Sequence, residues 1–141
     1  MTESVWTITW EMAKLTRDVE WVGKQDPYIL FKCAGREWRS KVLWNAGKNP
    51  EWHQTSDFIV QDNSCKAEIE IWDWEAKGDR IIGSTEVVVA DLVHSDGDKE
   101  IELFFKGEEC GRISIKSVFA TLWKEKPGLE ADLEAEKMKL K

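Results

Sequence analysis

The stretch KAEIEIWDWEAKGDRIIG, residues 66–83, changes character halfway along. Its first half alternates, with Ala67, Ile69 and Ile71 on one side of an extended chain and Lys66, Glu68 and Glu70 on the other. Period-two alternation marks a strand with one face in a core and one in water. The second half abandons the alternation for a turn that carries Asp73, Glu75 and Asp79 around Trp74.

The same alternation recurs on both sides. In VWTITWEM (5–12) the residues Trp6, Ile8, Trp10 and Met12 share a face. KEIELFF (99–105) repeats the scheme with Ile101, Leu103 and Phe105, and GRISIKS (111–117) with Ile113 and Ile115. Segments 28–33, 37–43, 55–60 and 81–89 are less regular strand candidates, separated by turn sequences such as AGRE, NAGKNP and SDGD. The pattern predicts an all-β protein, an eight-stranded antiparallel β-sandwich. The lone Trp72-Asp73 pair does not make a propeller, whose signature would recur about every 40 residues. Trp52, after Asn49-Pro50, is expected to pack beneath its turn, and Asp96 and Asp98 are turn formers.

After Pro127-Gly128 the chain reads LEADLEAEKMKLK, rich in helix formers. The expected organisation is therefore a sandwich over 1–123 and a charged tail over 124–141. A short C-terminal helix is expected in the tail, either solvated or offered to a protein partner.

A chain of 141 residues suits one domain, and 42% hydrophobic content excludes disorder over its whole length. The net charge of −7 argues against nucleic acid as a partner, which needs a basic footprint. It also opposes simple attachment to anionic lipid unless a cation intervenes. The N-terminus lacks a signal-peptide pattern, and no run approaches the roughly 18 apolar residues of a membrane span. Cys33, Cys65 and Cys110 form no CxxC pair and read as reduced thiols of a cytosolic protein. His53 and His94 have no nucleophile beside them, so no enzyme is expected.

The acidic turn at 73–79 has a counterpart in WVGKQDPYILFKC, residues 21–33. Asp26 precedes Pro27, which pushes it toward extended geometry at the mouth of a strand. Asp18 and Glu20 lie just upstream. Residues two apart on an extended chain project together, so Asp73 and Glu75 can enter one hollow. Two like charges 4 Å apart repel by about 4 kcal/mol at an effective dielectric near 20. A hard cation turns that repulsion into attraction, and calcium accepts six to eight oxygens in flexible geometry. The cluster lacks zinc-like Cys or His spacing and does not follow the EF-hand loop.

GKQDPYILFK, NPEWHQTSDF and EIEIWDWEAKGDRIIG, in that order, resemble the C2 domain, a β-sandwich family that often binds calcium and phospholipid. The resemblance spans roughly residues 5–119 and is nearest to the circular variant whose first strand precedes the first acidic loop. It implies metal ligation by Glu20, Asp26, Asp73, Glu75 and Asp79, with Asp26 and Asp73 matching the family pattern cleanly. Glu20 and Glu75 stand where the family carries Asp. Arg80 occupies the place of the last ligand, either supplying part of the calcium charge or turning outward so that Asp79 serves.

Trp21 and Val22 would then crown the first acidic loop and Trp74 the second, as contacts for an anionic phospholipid membrane, since indoles partition into the headgroup zone. The alternative for either Trp is to fold back on the sandwich. Lys32, Arg39 and Lys41 are a candidate basic face for lipid headgroups, or else a solvated outer face. The resulting expectation is a calcium-dependent, cytoplasmic, peripherally membrane-associated binding module of signalling or membrane trafficking. The alternative is a calcium-independent protein-interaction scaffold with a degenerate metal site.

Overall fold

The computed structural model describes residues 3–20, 22–61, 65–93 and 95–122, which form eight antiparallel strands. They are β1 (Glu3–Leu15), β2 (Pro27–Cys33), β3 (Arg36–Arg39), β4 (Glu51–Val60), β5 (Lys66–Asp73), β6 (Arg80–Val88), β7 (Gly97–Phe105) and β8 (Glu108–Leu122). The order across the sheet is β3-β2-β5-β6-β7-β8-β1-β4. Between β6 and β7 the described ladder is the pair Ser84–Phe104, and there the sheet folds over into two layers. Ring contacts then join strands far apart in that order. Phe31 of β2 meets Trp6 (5.5 Å), Trp10 (5.0 Å) and Phe58 (4.8 Å) from β1 and β4, and Trp10 stacks on Trp38 of β3 at 5.5 Å. The core lies between the layers, as the alternation required.

Each strand buries the set its period selects. Ala67, Ile69 and Ile71 are buried, as are Ile113, Ile115, Leu103 and Trp52. Two buried indoles keep their N–H groups satisfied across strands, Trp6 Nε1 donating to Ser117 Oγ (2.8 Å) and Trp10 Nε1 to Ser56 Oγ (2.9 Å). Cys33 and Cys110 are buried free thiols; burial, with Cys65 beside it, pushes the Cys33 thiol up to about 12.

Two expectations on the strands are corrected. Met12 does not share the face of Trp6, Ile8 and Trp10. A bulge between Trp10 and Met12 inserts Glu11, the phase slips by one, and Ala13 and Leu15 turn inward instead. The third strand ends at Arg39 rather than running to residue 43. Ser40 Oγ takes the Ile29 N–H (2.7 Å) and the Lys41 N–H turns to Gln54 Oε1 (2.8 Å), so the regular ladder stops, although the Ser40 and Leu43 N–H groups still reach the Ile29 and Pro27 carbonyls. The tail over 124–141 with its expected helix, and His94, lie outside the described residues. Among the described residues no helix is long and apolar enough to cross a membrane.

Candidate functional site

Three loops gather at one end of the sandwich: 16–26 between β1 and β2, 40–50 between β3 and β4, and 74–79 between β5 and β6. Gln25 is a buried hinge pin between the first two. Its Oε1 accepts the Val19 N–H (3.1 Å), and its Nε2 donates to the carbonyls of Arg17 (3.1 Å) and Gly47 (3.2 Å). Asp26 ties all three loops together. Its N–H donates to Asp73 Oδ1 (2.6 Å), its carbonyl accepts the Trp74 N–H (3.0 Å), and its Oδ1 accepts the Asn45 N–H (2.6 Å). The two distant acidic bends therefore meet.

Asp73 is the inner residue of the cluster. It continues the inward phase of Ala67, Ile69 and Ile71, so the strand carries its carboxyl to the end of the core with 0% exposure. Its Oδ2 is enclosed and has no hydrogen-bond donor among the described residues. Carboxylate oxygens of Glu20 and Glu75 lie with that of Asp73 within 4.8 Å of one another. Burial, and then the neighbouring Glu20, push the Asp73 pKa up to about 8, although the Asp26 N–H pulls the other way. At neutral pH Asp73 thus holds a proton that it can share with Glu20.

Arg80 closes the outer side. It opens β6 directly opposite Asp73 in the ladder. Its Nε and Nη2 donate to Glu75 Oε2 (2.7 and 2.5 Å), and Nη2 reaches Glu20 Oε2 at 3.4 Å. This guanidinium holds the Glu75 carboxyl below its ordinary value. Of the two alternatives for Arg80, the structure places it inward, on the carboxylates.

The five predicted ligands separate accordingly. Glu20, Asp73 and Glu75 converge. Asp26 stands beside them but gives an oxygen to the Asn45 turn. Asp79 is turned away: Oδ1 accepts the Glu75 N–H (2.8 Å) within its own loop, and Oδ2 accepts the Tyr28 hydroxyl, with Arg39 at 3.8 Å. Burial and this bond push the Tyr28 phenol up to about 12.

Lys32, Arg39 and Lys41 do not form an open basic patch. Lys32 pairs with Glu70 (3.5 Å) and lies opposite Glu37 and Glu68, and Glu68 in turn faces Glu86 across β6. Arg39 lies over the Tyr28 ring at 3.9 Å, and Lys41 belongs to the loop beyond the strand end.

Val22 is 86% exposed and Trp74 38%, both at the loop end, whereas Trp21 lies outside the described residues. Sequence reasoning missed Trp44, 61% exposed and edge-on to Trp74 with ring centroids 5.2 Å apart. Its signal was an indole in the turn sequence LWNAGKNP, immediately before Asn45 (φ +59°). It also missed Gln25, which nothing local distinguishes.

A two-layer antiparallel sandwich with loop-end carboxylates is the class of molecule defined here. The family model for the C2 domain matches residues 7–104, and the chain belongs to that family. Elicitor-responsive protein 3 of Oryza sativa subsp. japonica is 26% identical over 85 residues, 60% of this chain and 59% of that protein. The chain thus spans little more than half the length of that relative. Extended synaptotagmin-1 of Homo sapiens is 32% identical over 95 residues, 67% of this chain and 8% of that protein. Among solved structures, a C2 domain of plant extended synaptotagmin 1 superposes with a TM-score of 0.76 at 18% identity, covering 86% of this chain and 97% of that one. The calcium-bound pair of C2 domains of extended synaptotagmin 2 gives a TM-score of 0.71 at 19% identity, covering 83% and 45%.

Proposed function

We propose that this chain is a peripheral membrane module, not an enzyme, that docks on anionic phospholipid at a cytoplasmic surface through its loop end, calcium strengthening the contact. The observation that carries this reading is the contact of Trp44 with Trp74, two exposed indoles from separate loops, at the end of the sandwich where Glu20, Asp73 and Glu75 converge and where Val22, two residues from Glu20, is 86% exposed. Exposed indoles gain free energy in the headgroup zone, while uncompensated carboxylates on a chain of net charge −7 are repelled by anionic lipid.

The residues present fit a hard cation. The enclosed Asp73 Oδ2 has no donor among the described residues, and three carboxyl groups supply oxygen ligands of the right hardness. Glu20, Asp73 and Glu75 would hold the ion, which when bound supplies positive charge and coordination sites for phosphate oxygens. The chain's own residues do the rest. Gln25 and Asp26 hold the three loops in register. Trp44 and Trp74 brace each other as one wedge, and Lys24, Lys48 and Lys77 stand exposed on the same loops. The calcium-bound fold relative supports the metal-assisted form.

A second reading, a calcium-independent protein-interaction domain, is favoured by Arg80, which already gives Glu20 and Glu75 a positive partner. Co-sedimentation with phosphatidylserine-containing and pure phosphatidylcholine vesicles, in calcium and in chelator, separates the two. Binding to the anionic vesicles that strengthens in calcium is expected. Absence of binding under every condition would overturn the membrane reading.

A further inference from the structure

We infer that Arg80 is a tethered counter-ion that competes with a divalent cation for Glu20 and Glu75, and so sets the concentration at which the loop end takes up metal. The inference rests on the calcium-assisted reading above and specifies how that site is regulated. The guanidinium occupies the two outer carboxylates of the cluster and leaves the inner one alone: its donors go to Glu75 (2.5 and 2.7 Å) and Glu20 (3.4 Å), while Asp73 Oδ2 stays enclosed with no donor among the described residues. Arg80 therefore serves the two outer carboxylates and leaves the inner oxygen to a metal ion.

Arg80 is suited to competition rather than to permanent closure. Its backbone is fixed in the ladder opposite Asp73, so the cation is never far away and returns whenever the pocket empties. Its side chain is nearly half exposed, and ion pairs in contact with water are weakly held. A guanidinium is a single charge with donors in a fixed planar fork, which matches the edge of one carboxylate well but does not gather three. A hard divalent ion carries twice the charge and takes six to eight oxygens from flexible donors, the enclosed Asp73 oxygen included. Low metal favours the tethered charge; higher metal favours the ion, with Arg80 swung aside.

Calorimetric titration of the full chain with calcium chloride, without lipid, tests this in wild type, Arg80→Gln and Arg80→Lys. The Gln variant is expected to bind calcium about tenfold tighter, on the scale by which ligand charge tunes calcium sites, with Lys between the two. Melting curves supply the second readout. In chelator, Arg80→Gln should melt below wild type because Glu20 and Glu75 lose their partner, and its rise on adding calcium should exceed that of wild type. A role confined to packing would lower the melting point in both conditions equally. Unchanged or weaker calcium affinity in a folded Arg80→Gln variant would overturn the inference, as would the absence of calcium heat in all three proteins. Because no vesicles are present, failure here is distinct from failure of membrane docking.

Discussion

Replacing Asp73 by Asn keeps the shape of the inner carboxyl and removes its charge. The amide oxygen can still accept the Asp26 N–H, now at 2.6 Å, and the amide nitrogen can donate toward Glu20. The ordinary pKa of this group is 3.8 and its folded value is about 8. Between those values the native state keeps the proton while the unfolded chain has released it. The unfolded state then binds fewer protons, so wild-type stability falls as pH rises through this window and levels off above about 8. A proton held in one state and released in the other changes stability by the equivalent of one pKa unit per pH unit, so between about pH 5 and pH 7 the Asn variant should gain on wild type by roughly 3 kcal/mol. Urea denaturation of both proteins in chelator, at a series of pH values, measures that difference, because contributions of groups outside the carboxyl cluster cancel. Parallel stability curves would show that Asp73 is ionised throughout, and the buried, proton-sharing carboxyl would have to be given up. In calcium the order should reverse, since the variant lacks the inner charged ligand.

Trp44→Ala and Trp74→Ala should each weaken partition onto phosphatidylserine-containing vesicles by roughly tenfold, the equivalent of some 60 Å² of apolar surface, with melting temperature nearly unchanged. Loss of folding in either variant would reassign that indole to the core. Gly111→Ala is expected to cost upward of about 2 kcal/mol in chemical denaturation. Gly111 has φ +150°, and an added Cβ would stand 2.5 Å from the Lys14 carbonyl oxygen on fixed backbone. Tyr28 is the chain's single tyrosine, so its alkaline titration is read without overlap from other phenols. No phenolate absorbance should develop below about pH 11, against a midpoint of about 12. A midpoint near the ordinary 10.0 would mean that the bond to Asp79 is not kept in solution.

Much of the fold was legible because strand alternation is a local property. A period of two assigns Ala67, Ile69 and Ile71 to the core without reference to any other strand, and carried two residues further it also assigns Asp73 to the inside. The burial of that carboxyl, and so its appetite for a proton or a cation, was written in the chain. What local pattern could not supply was any event that depends on a second segment. The bulge at Glu11 moved Met12 off the core face because two steps along β1, from Trp10 to Met12, are matched by one step along β8, from Ile115 to Ser114. Asp26 matched a ligand motif, yet one of its oxygens is engaged by Asn45, nineteen residues away and on another loop. Trp44 became part of a wedge only when its loop was laid against that of Trp74. Whether Arg80 faced solvent or carboxylates was equally open on paper. It was decided by the ladder that seats β6 beside β5 and brings Glu20 within reach from across the loop end. Residue order determines which side of its own strand a side chain occupies, whereas the charges it meets there are set by the packing of loops that are distant in sequence.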